Sequence, residues 1–107
     1  MIFVVETEEQ SLLLFEDERS VIAHCEGLDV EAEVWLFWND KGQPLEAEFI
    51  IPNRHSLFTV SNGEYRLVLA TGNHHVPLLE ALENVLHVES EPPLSSVEAI
   101  RQYLQGR

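Results

Sequence analysis

The stretch Val34-Trp35-Leu36-Phe37-Trp38-Asn39-Asp40-Lys41-Gly42-Gln43-Pro44-Leu45-Glu46-Ala47-Glu48-Phe49-Ile50-Ile51 decides the fold class. An aromatic-rich apolar run enters Asn39-Asp40-Lys41-Gly42, a turn signature. On the return leg Leu45, Ala47, Phe49 and Ile51 alternate with Glu46 and Glu48. Aromatic and β-branched residues suit a pleated surface, and side chains two apart share a face. The stretch therefore reads as an antiparallel hairpin over about residues 34–51.

Toward the C-terminus, Asn62-Gly63 suits a two-residue type I′ loop. Counting outward pairs Ser61 with Glu64, Val60 with Tyr65, Thr59 with Arg66 and Phe58 with Leu67, a second hairpin over about residues 57–69. Leu78, Leu79, Leu82, Val85 and Leu86 then recur at helical spacing behind Pro77, which predicts a helix at about 77–87. After Pro92-Pro93, Ser95-Ser96-Val97-Glu98 reads as a capping box opening a last helix at about 96–105.

Toward the N-terminus, Ile2–Val5 and Ser11–Phe15 read as strands, with a helix beginning near Glu8 as the alternative for the second. Asp17 can cap a helix at about 17–26 with Val21, Ile22 and Cys25 inward, closed by Gly27 in a left-handed conformation. The sum is one α+β domain over residues 1–107: an antiparallel sheet containing two hairpins, with helices packed on one face.

Charge is distributed unevenly over that plan. From Glu6 to Glu48 there are thirteen acids against Arg19 and Lys41, so this stretch carries −11 of the chain's −13. A field of one sign repels nucleic acid and anionic membranes and attracts basic partners. With 45% apolar residues interleaved, the chain is globular rather than an acidic tail. The apolar start, Met1 to Val5, is too short for a signal peptide or a membrane span. Cys25 is the single cysteine and can form no internal bridge, so a reducing cytoplasm is expected.

Candidate chemistry thins out on inspection. His74 and His75 are adjacent, and neighbours on an extended backbone point apart, which disfavours one shared metal. Cys25 stands beside Glu26, whose charge opposes a reactive thiolate. Neither serines nor glycines fall in a nucleophile-elbow or phosphate-binding pattern. Asp29-Val30-Glu31-Ala32-Glu33 lacks the glycine and terminal glutamate of a calcium loop. Extended, it would put three carboxylates on one side, as a solvated strand edge or as part of a binding face. The expectation is therefore no catalytic residue, no metal and no cofactor.

A binding face is the stronger lead. Both sides of Val34–Trp38 are apolar, so either a large ring is exposed or both sides are covered. Aromatic anchors rimmed by carboxylates suit a protein-binding patch. The expected face comprises Asp17, Glu26, Asp29, Glu31, Glu33, Trp35, Trp38, Asp40, Glu46 and Glu48.

The pattern Phe15-Glu16-Asp17, Cys25-Glu26-Gly27-Leu28-Asp29-Val30-Glu31-Ala32 and Phe37-Trp38-Asn39-Asp40-Lys41-Gly42-Gln43-Pro44-Leu45 resembles small acidic bacterial immunity proteins of polymorphic or contact-dependent toxin systems. The resemblance covers roughly residues 12–48. It implies a non-enzymatic toxin inhibitor that occludes the active site of a basic toxin; for a nuclease, the acids would mimic phosphates. Two rivals stand beside it. One is a structural or adaptor domain, homodimeric through the aromatic hairpin, whose charge serves solubility only. The other is a small-ligand or enzymatic role through His74 and His75.

Overall fold

The computed structural model describes residues 1–72 and 74–106. Strands β1 (Ile2–Glu6), β2 (Ser11–Phe15), β3 (Trp35–Trp38), β4 (Pro44–Ile51), β7 (Glu64–Leu69) and β8 (His87–Val88) form one sheet in the order β7-β4-β3-β1-β2-β8. Every neighbouring pair is antiparallel except β2 with β8. Strands β5 (Arg54–His55) and β6 (Val60–Ser61) make a separate two-stranded ribbon. The helices are α1 (Glu18–His24), α2 (Gly27–Glu31), α3 (Leu78–Ala81) and α4 (Val97–Leu104). The class is α+β, as the sequence predicts.

Helices cover both faces of the sheet rather than one. Ile2, Phe3, Val4 and Val5 are all buried, and successive strand side chains point to opposite faces, so β1 requires cover on both. Ile2 and Val4 pack with Val21, Cys25 and Val30 of the α1–α2 region, together with Phe37, Leu45 and Tyr65. Phe3 and Val5 pack with Leu12, Trp38, Leu78, Leu82 and Ile100, under α3 and α4.

Asp17 caps α1 as expected, its carboxylate accepting the Ser20 N–H at 2.9 Å. Gly27 does not close that helix in a left-handed conformation. The chain passes through an extended Cys25, and Gly27 opens α2. Its small size serves close approach, since a Cβ there would lie 2.5 Å from Asn53 Oδ1. The alternating acids Asp29, Glu31 and Glu33 consequently lie on a helical turn, not on an extended edge. Glu33 leaves that turn at φ +61.

The hairpin at 34–51 forms, but the pairing expected over 57–69 does not. Strand β7 pairs with β4, from Leu45↔Leu69 to Ile51↔Glu64, while Val60 and Ser61 pair with His55 and Arg54. Long-range packing overrides the local turn preference of Asn62-Gly63. Tyr65 and Leu67 join Ala47 and Phe49 over the α1–α2 core, and Tyr65 donates its hydroxyl to the Cys25 carbonyl at 2.6 Å. The side chain of Asn62, which suggested the turn, is bonded elsewhere, and Asn53 holds the backbone of Gly63. Asn62 accepts the Leu28 N–H at 2.9 Å, and Asn53 accepts the Gly63 N–H at 2.7 Å. On the outer side of β7, the Leu67 N–H donates to the Glu18 carboxylate at 2.9 Å.

The helix expected at 77–87 is shorter: α3 ends in a 3-10 turn over Leu82–Asn84. Beyond it the Leu86 and His87 N–H groups donate to the Gln10 carbonyl, and β8 joins β2. Leu86 is thereby exposed instead of inward. Ser96, not Ser95, caps α4, and Glu98 pairs with Arg101 at 2.9 Å rather than closing a capping box.

Candidate functional site

Trp38 is not an exposed anchor. It is 1% exposed, belongs to the α3–α4 core and donates its indole N–H to the Val76 carbonyl at 2.8 Å. Trp35 is half-buried against the opposite core, with the His24 ring edge-on at 5.4 Å. Its indole N–H is buried and lacks a hydrogen-bond partner among the described residues. The bare strand carried two indoles with no sign of which face each would find, so burial could not be assigned from sequence.

The acids separate into groups. Asp17 serves the α1 cap, and its bonds to the Ser20 N–H and hydroxyl hold its carboxyl below the usual range. Glu48 pairs with Arg66 across β4 and β7. Asp40 is exposed in the β3–β4 turn. Glu26, Asp29, Glu31 and Glu33 gather on α2 and its flanks, all exposed. Glu46 is half-buried on β4, beside His74.

Alongside α2 stands a surface that sequence reasoning missed. Leu57 and Phe58, at the tip of the β5–β6 ribbon, are 91% and 93% exposed, and Ile50, Ile51 and Val60 are also exposed. The base of the ribbon is tied to α2. Asn53 donates to the Gly27 carbonyl at 2.9 Å and to the Glu31 carboxylate at 2.6 Å, and His55 lies 3.1 Å from the same carboxylate. These bonds hold the Glu31 carboxyl below its ordinary range, with Asn53 as the larger cause. One signal was present in the sequence: no acid occurs between Pro52 and Gly63, in a chain otherwise rich in them.

A second feature lies between β3 and β4. Their pairing is confined to Phe37↔Leu45 and Trp38↔Pro44, yet β3 stays paired with β1 and β4 with β7 well beyond those residues. The sheet parts there and leaves a cleft of about 180 Å³ lined by Glu31, Glu33, Trp35, Glu46, His74 and His75, among others. The two histidines converge instead of pointing apart, Nδ1 to Nδ1 at 2.7 Å. A carbonyl can only accept, so His75 carries its proton on Nε2, which donates to the Phe37 carbonyl at 2.9 Å. The neutral ring then accepts at Nδ1 from His74, whose Nε2 is 3.8 Å from Glu46. Burial is the main cause that lowers the His75 pKa, with His74 adding to it, against the raising effects of the Phe37 bond, Glu33 and Glu46.

No group of three or more His, Cys, Asp or Glu residues among the described residues is placed to hold a metal ion. Cys25 is fully buried, and burial, with Asp29 adding to it, pushes its thiol up to about 12. Among the described residues no helix is long and apolar enough to cross a membrane. Comparison with protein-family models, curated proteins and solved structures finds no significant match. Function is therefore read from the geometry of the site alone.

Proposed function

We propose that this protein is a non-enzymatic cytoplasmic inhibitor of the immunity type, which neutralises a basic toxin by covering its active site. The observation that carries this reading is the exposed apolar tip of a ribbon whose base is bonded to the acidic α2. Contiguous exposed apolar surface rimmed by polar residues is uncommon on proteins that act alone, and it marks interaction sites. In such interfaces a few desolvated anchors supply most of the affinity, while rim charges speed encounter and select partners. Leu57 and Phe58 take the anchor role that Trp38 cannot, and Glu26, Asp29 and Glu33 supply the charged rim.

The test is capture of partners from the native cells on the tagged protein, with elution at rising salt. A basic protein should be retained, and released earlier by a variant carrying Glu26→Gln, Asp29→Asn and Glu33→Gln. Leu57→Ser with Phe58→Ser should abolish retention. A basic partner held with unchanged affinity and salt dependence by the neutralised variant would refute the electrostatic part.

The same ribbon supports a second reading. An acid-free apolar segment offers two copies a place to meet without mutual repulsion, which suits a homodimeric adaptor. Sedimentation separates the two readings: a concentration-independent dimer lost on Phe58→Ser favours the adaptor.

A further inference from the structure

We propose that the cleft between β3 and β4 is a socket for one arginine side chain of the basic partner, an inference that rests on the inhibitor reading above. The parted sheet supplies its acceptors. The Asn39 N–H bonds to the Gln43 carbonyl, so alternate residues Phe37 and Trp35 turn their backbone groups toward β4. The Ala70 N–H bonds to the Pro44 carbonyl, which by the same alternation turns Ala47 toward β3. Pairing ends at Phe37↔Leu45, so the Trp35 and Ala47 carbonyls face the gap without a ladder partner. Glu33 and Glu46 add carboxylates, and the rings of Trp35 and Phe49 form walls.

Size and charge narrow the ligand. The cleft, at about 180 Å³, is smaller than the roughly 300–1,000 Å³ of small-molecule pockets, and suits a single side-chain head group. Among the described residues no Lys or Arg lines it, and burial favours the neutral form of His75 over the charged one. A guanidinium presents five donors in a plane, stacks on aromatic faces and is more weakly hydrated than an ammonium. It matches a slot with acceptors on both edges and rings on its walls better than lysine does.

The experiment titrates the full chain with N-acetyl-arginine methylamide and with its neutral citrulline counterpart, reading the two indole N–H resonances by NMR. The Trp35 resonance should move saturably with the arginine compound while that of Trp38 moves little. Binding should weaken at least about tenfold for the citrulline compound, and for a Glu33→Gln, Glu46→Gln variant whose thermal melt is unchanged. No saturable shift, equal shifts with citrulline, or tighter binding of the lysine analogue would each overturn the assignment. If the basic partner is still captured at full strength by the Glu33→Gln, Glu46→Gln variant, the socket fails while the inhibitor reading stands. Saturable arginine binding with no basic partner captured would uphold an arginine site in the cleft but overturn its assignment to a toxin, and with it the inhibitor reading.

Discussion

Replacing Asn53 with alanine tests the part of the fold that departs most from local turn chemistry. Its side chain accepts the Gly63 N–H at 2.7 Å and donates to the Gly27 carbonyl at 2.9 Å. Gly27 is buried and Gly63 half-buried, so water replaces these bonds incompletely. An unsatisfied buried group costs about 1–3 kcal/mol, and partial exposure argues for the low end, about 2 kcal/mol for the pair. The third bond, to the exposed Glu31 carboxylate, adds little. At ~2.1 cal/mol/K per residue, a chain of 107 residues should lose about 9 °C in melting temperature. Urea denaturation measures the loss directly. Asn53→Asp keeps the acceptor for Gly63 but sets a negative charge against the Gly27 carbonyl and Glu31, so it should be no better than alanine at neutral pH. If Asn62-Gly63 instead closed a local hairpin, Asn53 would be a solvated loop residue, and its loss would cost within ~0.5 kcal/mol. A change that small, or a fully stable Asn53→Asp protein, would refute the pairing of β7 with β4 as the reason the ribbon stands apart.

Buried groups give three further expected outcomes. Tyr65→Phe removes the hydroxyl bonded to the Cys25 carbonyl and should destabilise by about 1–2 kcal/mol, read as a lower urea midpoint at unchanged slope. His75 has a depressed pKa when folded, so below its ordinary value of 6.5 the unfolded chain binds more protons. Stability should therefore be full above that pH and fall as pH drops through the folded value. His75→Gln should flatten the fall; an unchanged profile would contradict the burial. With its thiol pushed up to about 12, Cys25 in the folded protein should resist iodoacetamide at pH 8 and react at the rate of unfolding. Rapid stoichiometric labelling of native protein would contradict that.

Some local signals survived the passage from sequence to structure. The Asp17 cap, strands β1 and β2 and the first hairpin carry their signals in neighbouring residues. What escaped depends on partners far along the chain. Asn62-Gly63 carries a strong turn preference, yet Tyr65 and Leu67 pair with Phe49 and Ala47 and pack on the core under α1 and α2. Leu86 fits a helical stripe, but the Gln10 carbonyl and β2 draw its neighbours into a strand. For the candidate site, the acidity was legible and its arrangement was not. Burial of Trp38 is a property of α3 and α4 arriving on its face, and the exposure of Leu57 and Phe58 follows from the pairing that leaves the ribbon outside the sheet.

The bond from Glu18 to the Leu67 N–H also bears on synthesis and storage of the chain. Strand β7 is the long free rim of the sheet, and an open strand edge recruits other chains. Glu18 lies 49 positions ahead of Leu67, so the ribosome delivers the residue that blocks this rim well before the rim itself emerges. Glu18→Ala should leave a protein that melts much as before, yet turns cloudy with time and concentration, because the loss falls on self-recognition between chains.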